Sequence, residues 1–172
     1  MTDTTPLAPL RRPMALGDLR AVMALEVQAY SHPWSHGNFV DSLAAGHLAE
    51  VLQGEELIGY FVAMPGVEEL HLLNLTVAPG WQRRGHGLAL LDTVLAHAGA
   101  RRLLTVWLEV RGSNQLARAM YARRGFDEVG LRRGYYPAHH GREDAVVMRR
   151  AVEPMAALHE PVAAARGCDA LE

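Results

Sequence analysis

A loop rich in glycine and arginine, lying between a strand pattern and a helix pattern, constrains this chain most. Leu70–Val77 reads as a buried strand, Leu88–Ala98 has the apolar spacing of a helix, and the loop Gln82–Gly87 (QRRGHG) lies between them. The first N–H groups of a helix have no partners within the helix, and the helix dipole is positive there. The loop therefore favours a bound anion such as a phosphate group, although on its own it fits an ordinary solvated turn equally well.

Two well-known phosphate-binding loops fit this segment poorly. Gly85 and Gly87 follow a strand and Glu109 ends the next one, as in a dinucleotide-binding unit. The third glycine position of that motif is Leu90, however, and an Ala-Pro-Gly-Trp segment separates the strand from the glycines. A P-loop needs a lysine, and all 17 basic residues of this chain are arginine.

Strand and helix patterns alternate along the chain and predict an α/β fold with a mixed sheet. With 172 residues we expect one domain at 7–150, a flexible N-terminus at 1–6 and an Ala/Pro-rich tail at 151–172 that is flexible or forms a short docked helix. The predicted elements are strand Leu7–Met14, helix Leu16–Tyr30, a second helix capped by Ser35 and running through Ala45, strands Leu48–Gln53, Leu57–Met64 and Leu70–Val77, helix Leu88–Ala98 ended by Gly99, strand Leu103–Val110, a helix from Gln115 to Arg124 capped by the Gly112–Asn114 turn, and strands Phe126–Arg132 and Ala145–Arg149 separated by a polar loop.

Composition excludes several classes of function. The net charge of −2 gives no indication of general nucleic-acid binding, and no apolar run approaches the ~20 residues of a membrane span. The N-terminus lacks a signal-peptide pattern, and the single cysteine, Cys168, allows no disulfide within the chain. We expect a cytoplasmic protein, with a monomer favoured, that binds neither nucleic acid nor membrane. Histidines such as His32 and His36 lack a third metal ligand nearby, so we expect no metal site.

The loop Gln82-x-x-Gly85-x-Gly87 resembles the Q/R-x-x-G-x-G/A signature of the GCN5-related N-acetyltransferase superfamily. The resemblance covers about residues 7–150 and implies a single-domain fold with a mixed, mostly antiparallel sheet flanked by helices on both faces. It also implies acetyl-CoA as co-substrate, with its pyrophosphate bound by the loop amides and its pantetheine arm paired with the strand before the loop. The implied cofactor-binding residues are Leu75, Thr76, Val77, Gln82, Arg83, Arg84, Gly85, His86, Gly87 and Leu88.

A further series of motifs narrows the resemblance to the RimI-type ribosomal-protein alanine N-acetyltransferases. The series comprises HPWS at 32–35, WLEVR at 107–111, SN at 113–114, MY at 120–121, GF at 125–126, RRxYYP at 132–137 and GREDA at 141–145. Members of that family acetylate the N-terminal alanine of small-subunit ribosomal protein eighteen, so a ribosomal-protein N-terminus is the implied acceptor. Acetylation of another amine, on a lysine or a small molecule, and a non-catalytic acyl-CoA-binding module remain alternatives.

The same resemblance suggests how transfer would be catalysed, by direct reaction in a ternary complex. It implies that Glu109 accepts the proton of the amine, directly or through water, that Tyr121 protonates the departing thiolate and that Asn114 contacts acetyl-CoA. Asn114 and Tyr121 are two helical turns apart and so lie on one stripe. It also implies a strand bulge near Val77, whose N–H groups polarise the carbonyl. The residues alone leave open that Glu109 is a strand-end acid paired with Arg111 and that Tyr121 is a core tyrosine.

Aromatic side chains in two loop-like segments are candidates for the acceptor site. Trp34, Tyr135 and Tyr136 lie off any helical stripe, and aromatic loops suit a short extended peptide. The resemblance implies that they flank the peptide groove. Trp34 could instead fill the core between the first two helices.

Overall fold

The computed structural model describes residues 8–153, which contain four helices and seven strands. The predictions for residues 1–7 and for 154–172, including Cys168, lie outside the described residues. The elements are β1 Leu10–Pro13, α1 Leu19–Ala29, α2 His36–Ala44, β2 Leu48–Gln53, β3 Leu57–Pro65, β4 Glu69–Val77, α3 His86–Ala100, β5 Thr105–Arg111, α4 Gln115–Arg123, β6 Asp127–Ala138 and β7 Gly141–Ala151.

The strands form one sheet in the order β1-β2-β3-β4-β5-β7-β6, and every neighbouring pair except β4–β5 is antiparallel. The predicted α/β class and the mixed, mostly antiparallel sheet are therefore confirmed. The parallel pairing of β4 with β5 covers only Glu69–Leu72 against Thr105–Leu108. Beyond Leu72 the two strands no longer pair, which leaves an opening in the middle of the sheet.

A β-bulge lies where β4 leaves β5. On β3, Val62 pairs with Asn74 while its neighbour Ala63 pairs with Leu72, so Leu73 is the extra residue. A bulge bends its strand and increases the local twist, which directs the second half of β4 away from β5. The bulge expected near Val77 thus lies four residues earlier.

Helices cover both faces of the sheet, as predicted. Alternate residues of β3 supply the two cores: Phe61 and Ala63 belong to the core under α3, and Tyr60 and Val62 belong to the core under α1 and α2. All four are fully buried, which explains the continuous apolar run of this strand. No helix within residues 8–153 is long and apolar enough to cross a membrane.

The polar loop predicted between Arg132 and Ala145 is wrong. These residues extend β6 and β7 into a long hairpin whose turn lies at His139–His140. Polar side chains are compatible with a strand here because the hairpin is largely exposed to solvent. Tyr135 and Tyr136, expected in a loop, therefore lie in β6, next to an irregularity in its pairing.

Helix α3 is longer at both ends than its apolar pattern predicted. It begins at His86 because Gly85 adopts a φ of 87° and forms the N-cap. Gly99, expected to end the helix, is buried in its last turn, and Arg102, with a φ of 56°, makes the left-handed turn instead. The last part of the predicted loop is thus the first turn of a helix.

Candidate active site

A cleft of about 460 Å³ lies between the second half of β4, the start of α3 and α4. Its floor is the free edge of β4, where two carbonyl groups lie two residues apart. The Leu75 carbonyl accepts a hydrogen bond from the Tyr30 hydroxyl at 3.3 Å, and the Val77 carbonyl accepts one from Gln82 Nε2 at 3.1 Å. Since alternate residues of a strand present their backbone groups to the same edge, this edge could pair with an extended ligand. Predicted residues that line the cleft are Leu75, Thr76, Val77, Gln82, Arg83, Gly85, Gly87, Leu88, Asn114 and Tyr121.

One end of the cleft is the start of α3. Gly85 is its N-cap, so the N–H groups of the next residues have no partners within the helix. A Cβ atom on Gly87 would lie 3.1 Å from Met120 Sδ. Glycine at this position therefore leaves a narrow gap between the start of α3 and Met120 of α4. Arg84 and His86 do not line the cleft, because both pack on Trp81, at 5.0 and 5.6 Å from its ring.

A second cavity of about 310 Å³ lies on the α1 and α2 side of the sheet. It is bounded by the end of α1, the segment between α1 and α2, the bulge of β4, the end of β5 and the tip of the β6–β7 hairpin. The predicted residues that line it are Trp34, Glu109, Asn114, Tyr121 and Tyr136, and His32, Arg111 and Pro137 lie beside them.

The cleft and the second cavity share one wall. Five residues line both: Tyr30, Leu75, Asn114, Ala117 and Tyr121. Glu109 lines only the second cavity, whereas the α3 loop lines only the cleft. Two molecules bound in the two spaces would therefore meet at this wall, with the phenols of Tyr30 and Tyr121 between them and the Glu109 carboxylate on one side.

Glu109 lies on the predicted face of β5. Thr105, Trp107 and Glu109 are half-buried, whereas the residues between them are buried in the core under α3. The Glu109 side chain is 17% exposed, and its Oε1 lies 3.4 Å from Arg132 Nη2. The pairing of Glu109 with Arg111, which the sequence left open as an alternative, is wrong, because Arg111 binds Glu143 at 3.2 Å instead.

Tyr121 belongs both to the core and to the shared wall. Its ring packs against Phe126, 5.8 Å between centroids, and only 7% of the residue is exposed. Burial, with smaller effects of the neighbouring phenols Tyr30 and Tyr136, raises the pKa of Tyr121 well above its usual value. Asn114, which also lines the shared wall, caps α4 as predicted, since its Oδ1 accepts the Ala117 N–H at 3.1 Å.

Comparison with known proteins identifies the family. The profile of the Acetyltransferase (GNAT) family matches residues 19–126. A [Ribosomal protein bS18]-alanine N-acetyltransferase from Escherichia coli K12 is 37% identical over 132 residues, covering 76% of this chain and 89% of the relative. A protein of the same name from Haemophilus ducreyi is 33% identical, covering 76% and 92%. This chain belongs to the GNAT family of acetyltransferases.

Solved structures of acetyltransferases agree with this assignment. The crystal structure of the ribosomal-protein-S18-alanine N-acetyltransferase from Escherichia coli superposes with a TM-score of 0.80 at 34% identity, covering 88% of this chain and 97% of that one. Ard1 from Thermoplasma volcanium shares the fold, with a TM-score of 0.78 at 23% identity. The protein is thus an acetyl-CoA-dependent N-acetyltransferase, and the resemblance to RimI-type enzymes is confirmed.

The hairpin tip of this acetyltransferase is fixed against β5. The Tyr136 hydroxyl donates to the Glu109 carbonyl at 3.0 Å, and the Arg111 guanidinium lies 4.5 Å from the Tyr136 ring centre. Burial, more than the nearby charges, raises the pKa of Tyr136 to about 12. Glu143 accepts the Ser113 N–H at 2.8 Å, and this contact, together with Arg111, lowers the pKa of its carboxyl group.

The three predicted acceptor-site aromatics have different surroundings. Trp34 packs on Phe39, 5.2 Å between centroids, and also lines the second cavity, while its role in binding an acceptor stays a prediction. Tyr136 lines the same cavity. Tyr135 lines neither space: it is 42% exposed and lies beneath Arg132.

Two residues that line these spaces were missed from the sequence. Tyr30 lines both spaces, and Glu26 is fully buried beside the second cavity. They are four residues apart on α1, and Glu26 continues the apolar stripe of Leu19 and Val22. A glutamate within a helical apolar stripe is the signal that could have revealed this site. Within residues 8–153 no group of three or more His, Cys, Asp or Glu side chains could hold a metal ion.

Proposed function

We propose that this enzyme transfers the acetyl group of acetyl-CoA to the α-amine of the N-terminal alanine of ribosomal protein bS18. The observation that carries the proposal is the pair of spaces with a common wall, one beside a helix N-terminus and the other beside Glu109. The relatives that are 33–37% identical over most of their length bear this activity in their names. An acceptor of this kind implies that the enzyme works in the cytoplasm.

The residues of the cleft fit acetyl-CoA. The free N–H groups at the start of α3 and the side chain of Arg83 suit the pyrophosphate, as does the positive end of the helix dipole. The free edge of β4 at Leu75 and Val77 suits the amide-containing pantetheine arm. The bound thioester supplies an activated acetyl group, and the cleft would direct it toward the common wall.

In the proposed mechanism two residues move protons. Glu109 accepts one from the amine in the second cavity, and Tyr121, in the common wall, gives one to the departing thiolate. Glu109 removes the proton of the attacking amine, directly or through one water molecule. As the new C–N bond forms and the C–S bond breaks, Tyr121 donates its proton to the sulfur. Its raised pKa keeps the phenol protonated and available at neutral pH. Solvent then restores the proton to Tyr121 and removes the one on Glu109.

An α-amine suits this site better than a lysine side chain does. The α-amine has a pKa of about 8 and lysine about 10.4, so a carboxylate removes the proton of the α-amine more easily. The second cavity, at about 310 Å³, is also small, and aromatic and aliphatic side chains line it together with Glu109 and Arg111, which suits a short chain end.

The test is acetylation of synthetic peptides by the purified protein, followed by mass spectrometry. The panel contains the N-terminal segment of bS18, variants of it at the first two positions, and the same peptide with a blocked N-terminus and an internal lysine. We expect acetylation of the alanine peptide and none of the blocked one. Transfer to the lysine, or equal rates whatever the first residue, would contradict the proposed acceptor.

A further inference from the structure

Glu26 is a fully buried carboxylate that the proposed mechanism does not use. One of its oxygens, Oε1, accepts hydrogen bonds from the Tyr60 hydroxyl and from Asn74 Nδ2, both at 2.5 Å. The other, Oε2, accepts the backbone N–H of Trp34 at 3.0 Å. Three donors from three separate parts of the chain thus converge on one side chain.

Within the described part of the chain, no arginine or histidine forms an ion pair with Glu26, so its polar contacts are these three hydrogen bonds. A buried carboxylate held in this way is a poor source of stability, since apolar residues of the same volume would avoid the desolvation cost. What the carboxylate does provide is a fixed position for its donors.

Two of the donors belong to residues that line the second cavity. Trp34 lies in the segment between α1 and α2, and Asn74 directly follows the bulge of β4. The third donor residue, Tyr60, lines neither space. Glu26, which itself lines this cavity, therefore links two segments of its lining, in the cavity that we assign to the acceptor.

The hydrogen-bonded chain continues from Asn74 to the common wall. Asn74 Oδ1 accepts from the Thr76 hydroxyl at 2.8 Å, and the Thr76 and Tyr30 hydroxyls are 2.9 Å apart. Tyr30 in turn binds the Leu75 carbonyl. The cofactor edge, by which we mean the free edge of β4 at Leu75 and Val77, is linked to Glu26 only through the further contacts of Thr76 and Tyr30. The direct effect of Glu26 therefore falls on the acceptor cavity.

We infer that Glu26 is a positioning residue for the acceptor, whose carboxylate holds Trp34 and Asn74 at the separation that binds the peptide N-terminus. This inference rests on the proposed assignment of the second cavity to the acceptor. It predicts that Glu26 governs the KM for the peptide far more than the KM for acetyl-CoA.

The test compares Glu26→Gln with the matched variant Glu50→Gln. Glutamine has the same shape but only one acceptor oxygen, so at least one donor on Glu26 would face an NH₂ group. Glu50 is also a largely buried glutamate, paired with Arg11 and His97, but it lines neither space. We expect Glu26→Gln to raise the peptide KM about tenfold, with the acetyl-CoA KM within about twofold of the wild type, and Glu50→Gln to change neither.

A cycle with Asn74→Ala makes the test independent of how well one variant folds. If positioning acts through Asn74, the single variants raise the peptide KM, and the double variant raises it by less than the product of the two effects. Should Glu26→Gln not fold, Asn74→Ala alone must show the same selective rise. A peptide KM within about twofold of the wild type in the folded variants, or parallel rises of both KM values, would overturn the inference.

Failure of the proposed function is distinguishable from failure of this inference. The assay uses whichever peptide the wild-type enzyme acetylates. Should that acceptor carry a lysine and not the N-terminal alanine of bS18, the proposed acceptor is wrong, while the selective effect of Glu26 on acceptor KM is still measured. Should bS18 be the acceptor and the KM values not separate, only the positioning role is wrong.

Discussion

Glu109 is the residue for which the proposed chemistry makes the sharpest demand. Glu109→Gln removes the base but keeps the shape of the side chain, so we expect kcat to fall by roughly 10²–10⁴-fold with little change in the acetyl-CoA KM. Without a base, the reaction must use peptide whose amine is already neutral. The residual rate of the variant should therefore rise with pH up to about pH 8, the pKa of an α-amine.

The measurement is the pH profile of kcat for the variant and the wild type, with Glu50→Gln as the matched control. Loss of the ion pair with Arg132, a side chain that is 55% exposed, should change the stability by less than about 1 kcal/mol. A variant with full activity at neutral pH would contradict the assignment of Glu109 as the base.

Tyr121 leads to a prediction at high pH. An ordinary tyrosine loses its proton near pH ~10. Because burial raises the pKa of Tyr121, the acid remains protonated above that value, and kcat should not fall between about pH 8 and 10 while the protein stays folded. Tyr121→Phe should lower kcat over the whole range and leave the acetyl-CoA KM nearly unchanged. A fall in wild-type kcat over this interval that is absent from Tyr121→Phe would contradict the expected direction of the pKa.

Local signals, namely strand alternation, an N-cap position and helical spacing, predicted where Glu109, Asn114 and Tyr121 lie, whereas the family resemblance alone suggested their roles. Tyr30 had no such signal, and the only one for Glu26 is that a glutamate continues the apolar stripe of α1. The stripe does not show what binds the carboxylate. Its full burial depends on Tyr60 and Asn74, which lie 34 and 48 residues away.

At the level of elements, the close approach of β3 and β4 gives a test of the cofactor edge. A Cβ atom on Gly59 would lie 2.5 Å from the Thr76 carbonyl oxygen, and this backbone atom can move only with β4. Gly59→Ala should therefore destabilise the protein by about 1–3 kcal/mol and raise the acetyl-CoA KM, because it displaces the edge formed by Leu75 and Val77.

Urea unfolding and acetyl-CoA titration would measure the two effects. The matched control is Gly17→Ala, since a Cβ atom there meets nothing within 4 Å and this glycine has no positive φ. Equal stability and equal acetyl-CoA KM in Gly59→Ala and Gly17→Ala would show that the edge does not depend on this contact.

Elements were predicted well where an apolar pattern defined them and poorly where it did not. Strand β2 was predicted with its observed bounds, and Ser35 caps α2 through the Asn38 N–H as expected. The β6–β7 hairpin was divided into two strands and a loop because residues 133–144 show no apolar alternation. Their strand conformation is stabilised by cross-strand contacts, such as that of Arg142 with the Gly134 and Tyr135 carbonyls.

For the whole molecule, the order and pairing of the strands were the features that the pattern of apolar and polar residues predicted least. Alternating strands and helices predict an α/β class but not that β4 and β5 are parallel neighbours that separate after Leu72. That separation depends on the bulge at Leu73, which interrupts the pairing with β3 and has no clear signature in the sequence. Leu73 lines the second cavity, together with residues from the end of β5. The family resemblance, and not periodicity, was therefore what predicted a binding site here.

Two spaces with a common wall also predict that the acetyl group passes directly from one substrate to the other, with both substrates bound at once. If acetyl-CoA binds in the cleft and the acceptor in the second cavity, as proposed, the two substrates are bound at once and meet at Tyr30, Leu75 and Tyr121, so that they react without an acetylated enzyme. Initial rates measured at several concentrations of both substrates should then give intersecting lines in double-reciprocal plots. A covalent route would give parallel lines.

A covalent route would also need a nucleophile, and Cys168 is the only cysteine of the chain, so Cys168→Ser should keep full activity. Parallel lines together with an inactive Cys168→Ser variant would exclude direct transfer.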